Sequence, residues 1–165
     1  MRRLFHITET GVIALAFMAS AVAAQVAIGF GDAPHDSDAP VEVVSDNLTI
    51  DQEIGLAVFT GNVVVVQGDL TMAAEEVRVT YVEDDDGTEV NEVLASGGVV
   101  MTRGEDAAAE GQNAVYSIES GEVVMTGSVL VTQGDDTVAG ERLTIDLNTG
   151  DAVVTGRVRT VLSRD

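Results

Sequence analysis

The sequence predicts an all-β protein built from antiparallel strands, and three observations support this prediction. A short phrase recurs along the chain at nearly regular intervals. Within each copy, apolar residues alternate with other residues at a period of two, which is the side-chain period of a β-strand. After residue 24, helix signals are almost absent, and the one candidate, residues 106–114, falls where the repeat requires a strand.

The repeated phrase combines a Thr-Gly or related pair, an apolar run rich in β-branched residues, and a turn that contains Gly. The first Gly residues of successive copies are 36, 30 and 29 residues apart. The longer first interval is explained by residues 82–92, an acidic insertion that predicts a surface hairpin. The four repeats are FTGNVVVVQGD (59–69), ASGGVVMTRGE (95–105), MTGSVLVTQGD (125–135) and a shortened VTGRVRTVLS (154–163).

A shorter phrase that ends in Gly precedes three of the copies, so each unit predicts a strand, a turn, a longer strand and a second turn. The repeated Gly lies inside the longer strand, where a glycine is expected to bend the strand, bulge it or move it to another sheet. These glycines are Gly61, Gly97 and Gly127. The glycines of the second turn are expected to adopt a positive φ, and they are Gly68, Gly104 and Gly134.

The alternation also predicts which face of the strands points inward. Two and four residues after the repeated Gly, nearly every copy has an apolar residue, and the shorter strands supply matching apolar pairs. We therefore expect a continuous apolar inner face formed by Leu48, Ile50, Phe59, Val63, Val65, Val77, Val79, Val99, Met101, Tyr116, Met125, Val129, Val131, Leu143 and Ile145.

The first 24 residues have the pattern of a cleaved secretory signal peptide. Arg2 and Arg3 precede an apolar run, residues 11–24, that ends in small residues. The alternative is an uncleaved membrane anchor, for which a run of about 14 residues is short. Residues 25–40 are rich in Gly, Pro and Asp and predict a disordered leader. The folded domain is expected over residues 41–165.

The charge of the chain excludes nucleic acid as a partner. The whole sequence has 28 acidic and 8 basic residues. Removal of residues 1–24 takes away Arg2, Arg3 and Glu9, which leaves 27 acidic residues and six arginines, a net charge of −21. No basic stripe is available to contact phosphates.

The residue types that usually carry catalysis are missing from the expected domain. From residue 41 onwards there is no His, Cys, Lys or Trp, which excludes His-based proton transfer, Cys and Lys nucleophiles, and His/Cys zinc sites. The acidic runs at 83–87 and 134–136 are typical of solvated turns, since a calcium site needs several converging oxygens at fixed spacing. We expect no enzyme activity, no cofactor and no metal, although a hydrolase with paired carboxylates stays open.

Periodicity alone leaves two interpretations of the inner face. Stacked β-units bury a continuous face against one another. That face either closes into a solid core or leaves a slot between two sheets that accepts an alkyl chain.

The order of several segments resembles one known family and favours the slot. Residues 41–162 resemble the OstA-like family of periplasmic lipopolysaccharide-transport proteins. The resemblance implies a curved β-jelly-roll that is open at both ends and carries the acyl chains of lipopolysaccharide between the two membranes. The segments that match are VVSDNLTID (43–51), FTGNVVVVQGDLTMAAEEVRV (59–79), LASGGVVM (94–101), NAVYSIESGEVVMTGSVLVTQGDDTVAGERLTID (113–146) and GDAVVTGRV (150–158).

The resemblance also implies partners and a mode of assembly. It implies inner-membrane LptC-like and outer-membrane LptD-like partners and a head-to-tail homo-oligomer joined through end strands. Because the fourth repeat is shortened, the last strand, residues 152–162, is expected to have no following strand to pair with. The expected assembly residues are Val43, Val154, Val158, Arg157 and Arg159.

Three alternatives stay open at this stage. The two arginines of the last strand are also what an exposed edge needs to stay soluble. The chain is alternatively a structural β-repeat that assembles into a polymer with a core of its own side chains, or the LptC-like partner of the same pathway.

Overall fold

The computed structural model describes residues 26–31, 35–84 and 87–163, which form one antiparallel sheet of 11 strands. The predicted signal peptide lies outside these residues. Within the described ranges there is no helix long and apolar enough to cross a membrane. The strands are β1 (Val26–Gly29), β2 (Glu42–Val44), β3 (Asn47–Asp51), β4 (Leu56–Gln67), β5 (Leu70–Asp84), β6 (Gly87–Arg103), β7 (Ala107–Ser117), β8 (Glu122–Gln133), β9 (Asp136–Asp146), β10 (Asp151–Thr155) and β11 (Arg159–Val161).

The strands from β4 to β10 follow one another as antiparallel neighbours, which confirms the all-β prediction. The turn glycines Gly68, Gly104 and Gly134 have φ of 57°, 60° and 57°, as the repeat predicted. The acidic insertion extends the β5–β6 hairpin, whose pairing continues to Asp84 and Gly87.

Each repeated Gly marks a bend. The pairing register shifts at this point between successive strands from β4 to β9, as it does between Thr126 and Val129 of β8. In every copy the Gly and the residue after it both have positive φ. The four pairs are Gly61 and Asn62, Gly97 and Gly98, Gly127 and Ser128, and Gly156 and Arg157.

The bends fold the sheet onto itself and divide it into two halves. The first half contains segments 47–51, 56–60, 76–84, 87–96, 113–117, 122–126, 142–146 and 151–155, with β1 at one edge. The second half contains segments 42–44, 63–67, 70–74, 99–103, 107–110, 129–133, 136–140 and 159–161.

Hydrogen bonds across the fold show that the far ends of the two halves meet. Tyr116 of the first half donates its hydroxyl proton to Gln67 Oε1 of the second half at 2.8 Å. Arg103 Nη1 of the second half donates to the carbonyl oxygen of Leu147, next to the first half, at 3.2 Å. We call this side the mouth, where the turns around 67–70, 103–107 and 133–136 face those around 117–122 and 146–151. It lies opposite the bends.

The beginning of the chain differs from the prediction of a disordered leader over 25–40. β1 pairs antiparallel with β10, and the side chains of Phe30 and His35 are buried. That prediction is wrong for the described residues 26–31 and 35–40. The Gly, Pro and Asp content of the whole segment hides a short apolar sequence, VAIGF, which is suited to pairing with a free strand edge.

The same pairing corrects the prediction for the last strand. β10 was expected to lack a partner beyond β9, but β1 occupies its outer edge through four residue pairs. A sequential repeat cannot reveal this partner because it comes from the other end of the chain. β11 pairs with β9 in the second half, and its three residues are exposed.

Candidate functional site

The inner faces of the two halves form the apolar interior that the alternation predicted. Twelve of the fifteen expected inner-face residues are buried, with exposed fractions of 6% or less. They are Val63, Val65, Val77, Val79, Val99, Met101, Tyr116, Met125, Val129, Val131, Leu143 and Ile145. The structure thus brings together side chains from β4 to β9 on one continuous face.

The remaining three expected residues lie at the end of the stack where β3 forms the edge. Leu48 and Ile50 are on β3, and Phe59 is on the neighbouring strand β4. Phe59 is half-buried against the core, whereas Leu48 and Ile50 are 50% and 61% exposed. Leu48 pairs with Phe59, and Ile50 pairs with buried Ala57, so they share the inner face. They are exposed because β3 is an edge strand. The inner face is therefore open at this end.

The protein's own side chains occupy the space between the two halves of the sheet. Met72, Met101 and Met125 are 1% exposed or less. Methionines adapt their shape readily to a neighbour because three bonds of the side chain rotate. An alkyl chain would have to displace or reshape these contacts to enter.

A polar cluster closes the interior at the mouth. His35 Nδ1 lies 3.2 Å from Asp69 Oδ1, and His35 Nε2 lies 3.2 Å from Gln67 Oε1 and 3.1 Å from the Tyr116 hydroxyl. Arg103, only 1% exposed, donates from Nε to Asp69 Oδ2 at 3.0 Å. These five side chains link the beginning of the chain to both halves of the sheet.

The cluster changes the acidity of two of its members. Partial burial pushes the pKa of the Asp69 carboxyl upward, but hydrogen bonds from His35 and Arg103 and the Arg103 charge together hold it below its usual range. Burial raises the pKa of Tyr116 to about 12 against the opposing effect of the Arg103 charge. Asp69 is therefore a carboxylate acceptor and Tyr116 a neutral hydroxyl donor at neutral pH.

Sequence reasoning missed His35, Asp69 and Arg103 as members of a site. A signal for this cluster was present in the repeat. Six residues after the repeated Gly, on the inner face, the copies have a long polar residue where an apolar one is expected. These residues are Gln67, Arg103 and Gln133, and all three lie at the mouth.

The residues expected at the assembly ends fall into different environments. Val154 is fully buried beneath the β1 pairing, and Val43 and Val158 pack against the edge of the core. Arg157 Nη2 lies 2.7 Å from Glu141 Oε1 of its own chain, whereas Arg159 is exposed on β11. Arg157 already has an acidic partner, so opposite charge on a neighbouring chain is not needed to explain it.

Comparison with known proteins identifies the family. Residues 42–151 match the profile of the family described as LptA/(LptD N-terminal domain) LPS transport protein. The lipopolysaccharide export system protein LptA of Escherichia coli K12 is 33% identical over 79 residues, which are 48% of this chain and 40% of that protein. An uncharacterized protein of Rhizobium meliloti strain 1021 is 30% identical over 127 residues, 70% of this chain and 65% of that protein.

A solved structure has the same fold. It is the crystal structure of LptH, the LptA-homologous periplasmic component of the lipopolysaccharide transport device of Pseudomonas aeruginosa. It superposes with a TM-score of 0.70 at 23% identity and covers 79% of this chain and all of that chain. The match to E. coli LptA, by contrast, spans less than half of that protein's length. With the family profile matched over most of its sheet, this chain belongs to the LptA/(LptD N-terminal domain) family of LPS transport proteins.

Proposed function

We propose that this protein is an LptA-like periplasmic carrier that binds lipopolysaccharide through its acyl chains and passes it from the inner towards the outer membrane. One observation carries the proposal. The apolar inner face continues from the buried interior to exposed Leu48 and Ile50 at the end of the sheet, so an apolar chain has a path from the interior to a neighbour.

The names of the relatives support this proposal. E. coli LptA is an export-system protein for lipopolysaccharide, and LptH is a periplasmic component of its transport device. A periplasmic location agrees with the signal peptide expected at residues 1–24. The proposal gives the chain a carrier's role and no catalytic step.

The energetics of a carrier favour partial burial of each acyl chain. Burial of one methylene contributes about 0.8 kcal/mol, so one fully buried long chain contributes on the order of 8 kcal/mol before entropic costs. Several chains buried to that extent would not be released. A face that stays exposed at its end, as at Ile50, suits a ligand that must move on.

Photo-crosslinking at β3 tests the proposed path. Leu48, Thr49 and Ile50 are consecutive and all exposed, but Thr49 points to the opposite face of the strand. With a photoreactive residue at each position, lipopolysaccharide is expected to label from 48 and 50 and not from 49. Equal labelling from all three positions would contradict the path, and mass spectrometry of the isolated adducts identifies the lipid.

We further propose that the ends of the sheet join copies head to tail and reach LptC-like and LptD-like partners. The exposed apolar residues are concentrated at these ends, with Val44 and Ile54 near β3, and Val161 and Leu162 at β11. Deletion of residues 159–165 is expected to leave a folded monomer that no longer self-associates. Sedimentation at matched high concentration checks this, and unchanged assembly of the shortened chain would exclude β11 as the junction.

A second candidate function has one observation in its favour. The interior contains its own side chains, which is what a structural β-repeat polymer requires. Mass spectrometry of protein purified from its native envelope distinguishes the two. Bound lipid A favours the carrier, whereas assembled protein without lipid favours the polymer.

A further inference from the structure

The first two described pieces of the chain lie at the mouth of the folded sheet. We call the two described pieces, residues 26–31 and 35–40, the strap. The strap starts as β1 on the edge of the first half beside β10, and it leads into β2 on the edge of the second half beside β4. Its two described pieces therefore lie on the side where the interior would otherwise open.

The first piece of the strap inserts an aromatic ring into the interior. Phe30 is fully buried and belongs to the hydrophobic core. Its backbone N–H donates to the Gly150 carbonyl oxygen at 2.7 Å, and its own carbonyl accepts from Arg103 Nη1 at 3.1 Å. Next to it, the Gly31 N–H donates to Gln133 Oε1 at 3.3 Å. Phe30 is thus held by both halves of the sheet.

Gly31 fits this position because it lacks a side chain. Its φ is +85°, and a Cβ there would lie 2.8 Å from Arg103 Cδ. The Arg103 side chain therefore packs directly on the strap backbone.

The second piece repeats this bridging further along the mouth. The His35 N–H donates to the Leu147 carbonyl oxygen at 3.1 Å, while its ring contacts Gln67 and Tyr116. Gln67 Nε2 donates to the carbonyl oxygens of Ser37 and Ala39 at 2.8 and 3.0 Å. These contacts satisfy inner-face polar groups that would otherwise face an open mouth.

Other features of the strap suit reversible attachment. β1 pairs along only four residues and on one side. Asp36 and Asp38 are exposed on the strap, and they add negative charge to a protein that is already strongly acidic. Clefts flank the strap at the mouth, one of about 820 Å³ lined in part by Ser37, Val41 and Val90. Short segments with few buried side chains open more readily than core strands.

We propose that the strap is a displaceable closure of the interior. An amphipathic lipid with long apolar chains enters at the mouth only when Phe30 withdraws, and its acyl chain then takes the place of the ring. Withdrawal of the strap also uncovers the edge of β10. This inference rests on the proposed function, because it assigns a lipid to the interior, and it adds that the free protein holds its mouth closed.

The exchange has a physical driving force. A long acyl chain buries more apolar surface than one phenyl ring, and the hydrophobic contribution scales with the area removed from water. The apparent affinity of a mostly closed protein is lowered in proportion to the fraction that is open. The strap therefore weakens binding in the free protein and is released when lipid is present.

An engineered disulfide tests the closure. The described residues contain no cysteine, and Gly29 pairs with Asp151 across β1 and β10, directly before Phe30. Paired residues of antiparallel strands lie about 4.5–5.5 Å apart at Cα, within the range of disulfides. A Cβ at Gly29 meets no heavy atom within 4 Å, so Gly29→Cys with Asp151→Cys is expected to fold and oxidise.

The measurement is binding of fluorescently labelled hexa-acyl lipid A to the full exported chain, oxidised and reduced. We expect the oxidised form to bind at least about tenfold more weakly than the reduced form. The control is Val124→Cys with Thr144→Cys, an outer-face pair between β8 and β9 whose oxidation is expected to leave binding unchanged.

Two further measurements keep the inference testable if a disulfide perturbs the fold. Phe30→Ala, checked by circular dichroism, is expected to bind lipid A more tightly than the wild type. Hydrogen exchange at the amides of Phe30 and His35 is expected to rise at least about tenfold when lipid A is added to the wild type.

The outcomes separate this inference from the function on which it rests. Equal binding by the oxidised and reduced forms, or unchanged exchange at Phe30 in the lipid complex, overturns the strap and leaves the carrier intact. Absence of lipid A binding by the reduced protein and by Phe30→Ala alike overturns the carrier and the strap together.

Discussion

The two long sides of the folded sheet, the bends and the mouth, are built by opposite means. At the bends, every copy repeats one solution, a pair of residues with positive φ packed against a polar residue of a preceding segment of the chain. At the mouth, closure depends on individual side chains whose contacts are not repeated from copy to copy, such as those of Arg103 and His35. It also depends on a segment outside the repeat. The bends are specified by backbone geometry, whereas the mouth is specified by hydrogen bonds that can be exchanged.

This difference suggests where the molecule can change shape. A bend cannot open without breaking the continuous strands that pass through it. The mouth is closed by the buried rings of Phe30 and His35, a few hydrogen bonds and a four-residue strand. Ligand-dependent motion is therefore expected at the mouth.

The largest expected effect is at a bend. At Gly127 φ is +87°, and an added Cβ would lie 2.6 Å from Gln112 Cβ. Gly127→Ala is expected to lower the free energy of unfolding by about 3 kcal/mol, because the crowding adds to the strain of a positive φ. Thermal or denaturant unfolding measures it.

Gly134→Ala is the matched control. Its φ is +57°, but no heavy atom lies within 4 Å of an added Cβ. Its cost is expected to be about 1 kcal/mol, the strain of the left-handed conformation alone. If the two variants lose the same stability, the tight packing at the bend has no structural importance.

The mouth is expected to show a smaller effect on stability. Arg103→Gln removes the guanidinium that bonds to Asp69 and to the carbonyl oxygens of Phe30 and Leu147. We expect the free energy of unfolding to fall by about 2 kcal/mol, since buried acceptors lose their donor. Hydrogen exchange at Phe30 is expected to accelerate while core amides such as that of Val131 stay protected.

Arg78→Gln serves as the control for loss of an arginine. Arg78 is 56% exposed and pairs with Glu76 at 3.0 Å. An exposed pair of this kind contributes less than about 1 kcal/mol. Faster exchange at Phe30 in Arg78→Gln would show that the mouth responds to net charge and not to the specific bonds of Arg103.

The fold could be predicted from the sequence where the repeat determines it. The period of two identified the inner face through residues such as Val129 and Val131, and the repeated Gly located the bends. Both follow from local rules, namely the alternation of a strand and the positive φ that glycine permits. Even the exposed Leu48 and Ile50 were placed on the right face, although the repeat could not tell that β3 is an edge.

The mouth could not be predicted because its contacts join residues far apart in the sequence. His35 meets Tyr116 across 81 positions, and β1 pairs with β10 from the opposite end of the chain. Composition suggested disorder for the segment that contains His35, and nothing in its neighbours along the chain pointed to a partner. Only the polar position at the end of the repeat, occupied by Gln67 and Arg103, indicated that the inner face is polar at this edge.

The smallest expected effect concerns acid. The pKa of Asp69 is lower in the folded protein than its usual value near 3.8. A carboxyl of this kind adds stability above its unfolded pKa and loses it as the pH falls through its folded pKa. The wild type is therefore expected to lose part of its stability below about pH 4. Asp69→Asn removes this contribution at all pH values, so its unfolding curve depends less on pH in that range.

Comparison with an exposed carboxyl elsewhere separates the contribution of Asp69 from the general effect of acid on stability. Asp135 lies in the β8–β9 turn of the same half and is exposed. In Asp135→Asn the free energy of unfolding is expected to fall below about pH 4 as it does in the wild type. In Asp69→Asn this fall is expected to be smaller. Hydrogen exchange at Phe30, compared at pH 7 between Asp69→Asn and Asp135→Asn, follows the same logic, because only Asp69→Asn removes the charge that holds Arg103 in place. If the strap amides are equally protected in the two variants, the Asp69–Arg103 pair does not keep the mouth closed, and Phe30 itself must hold the strap.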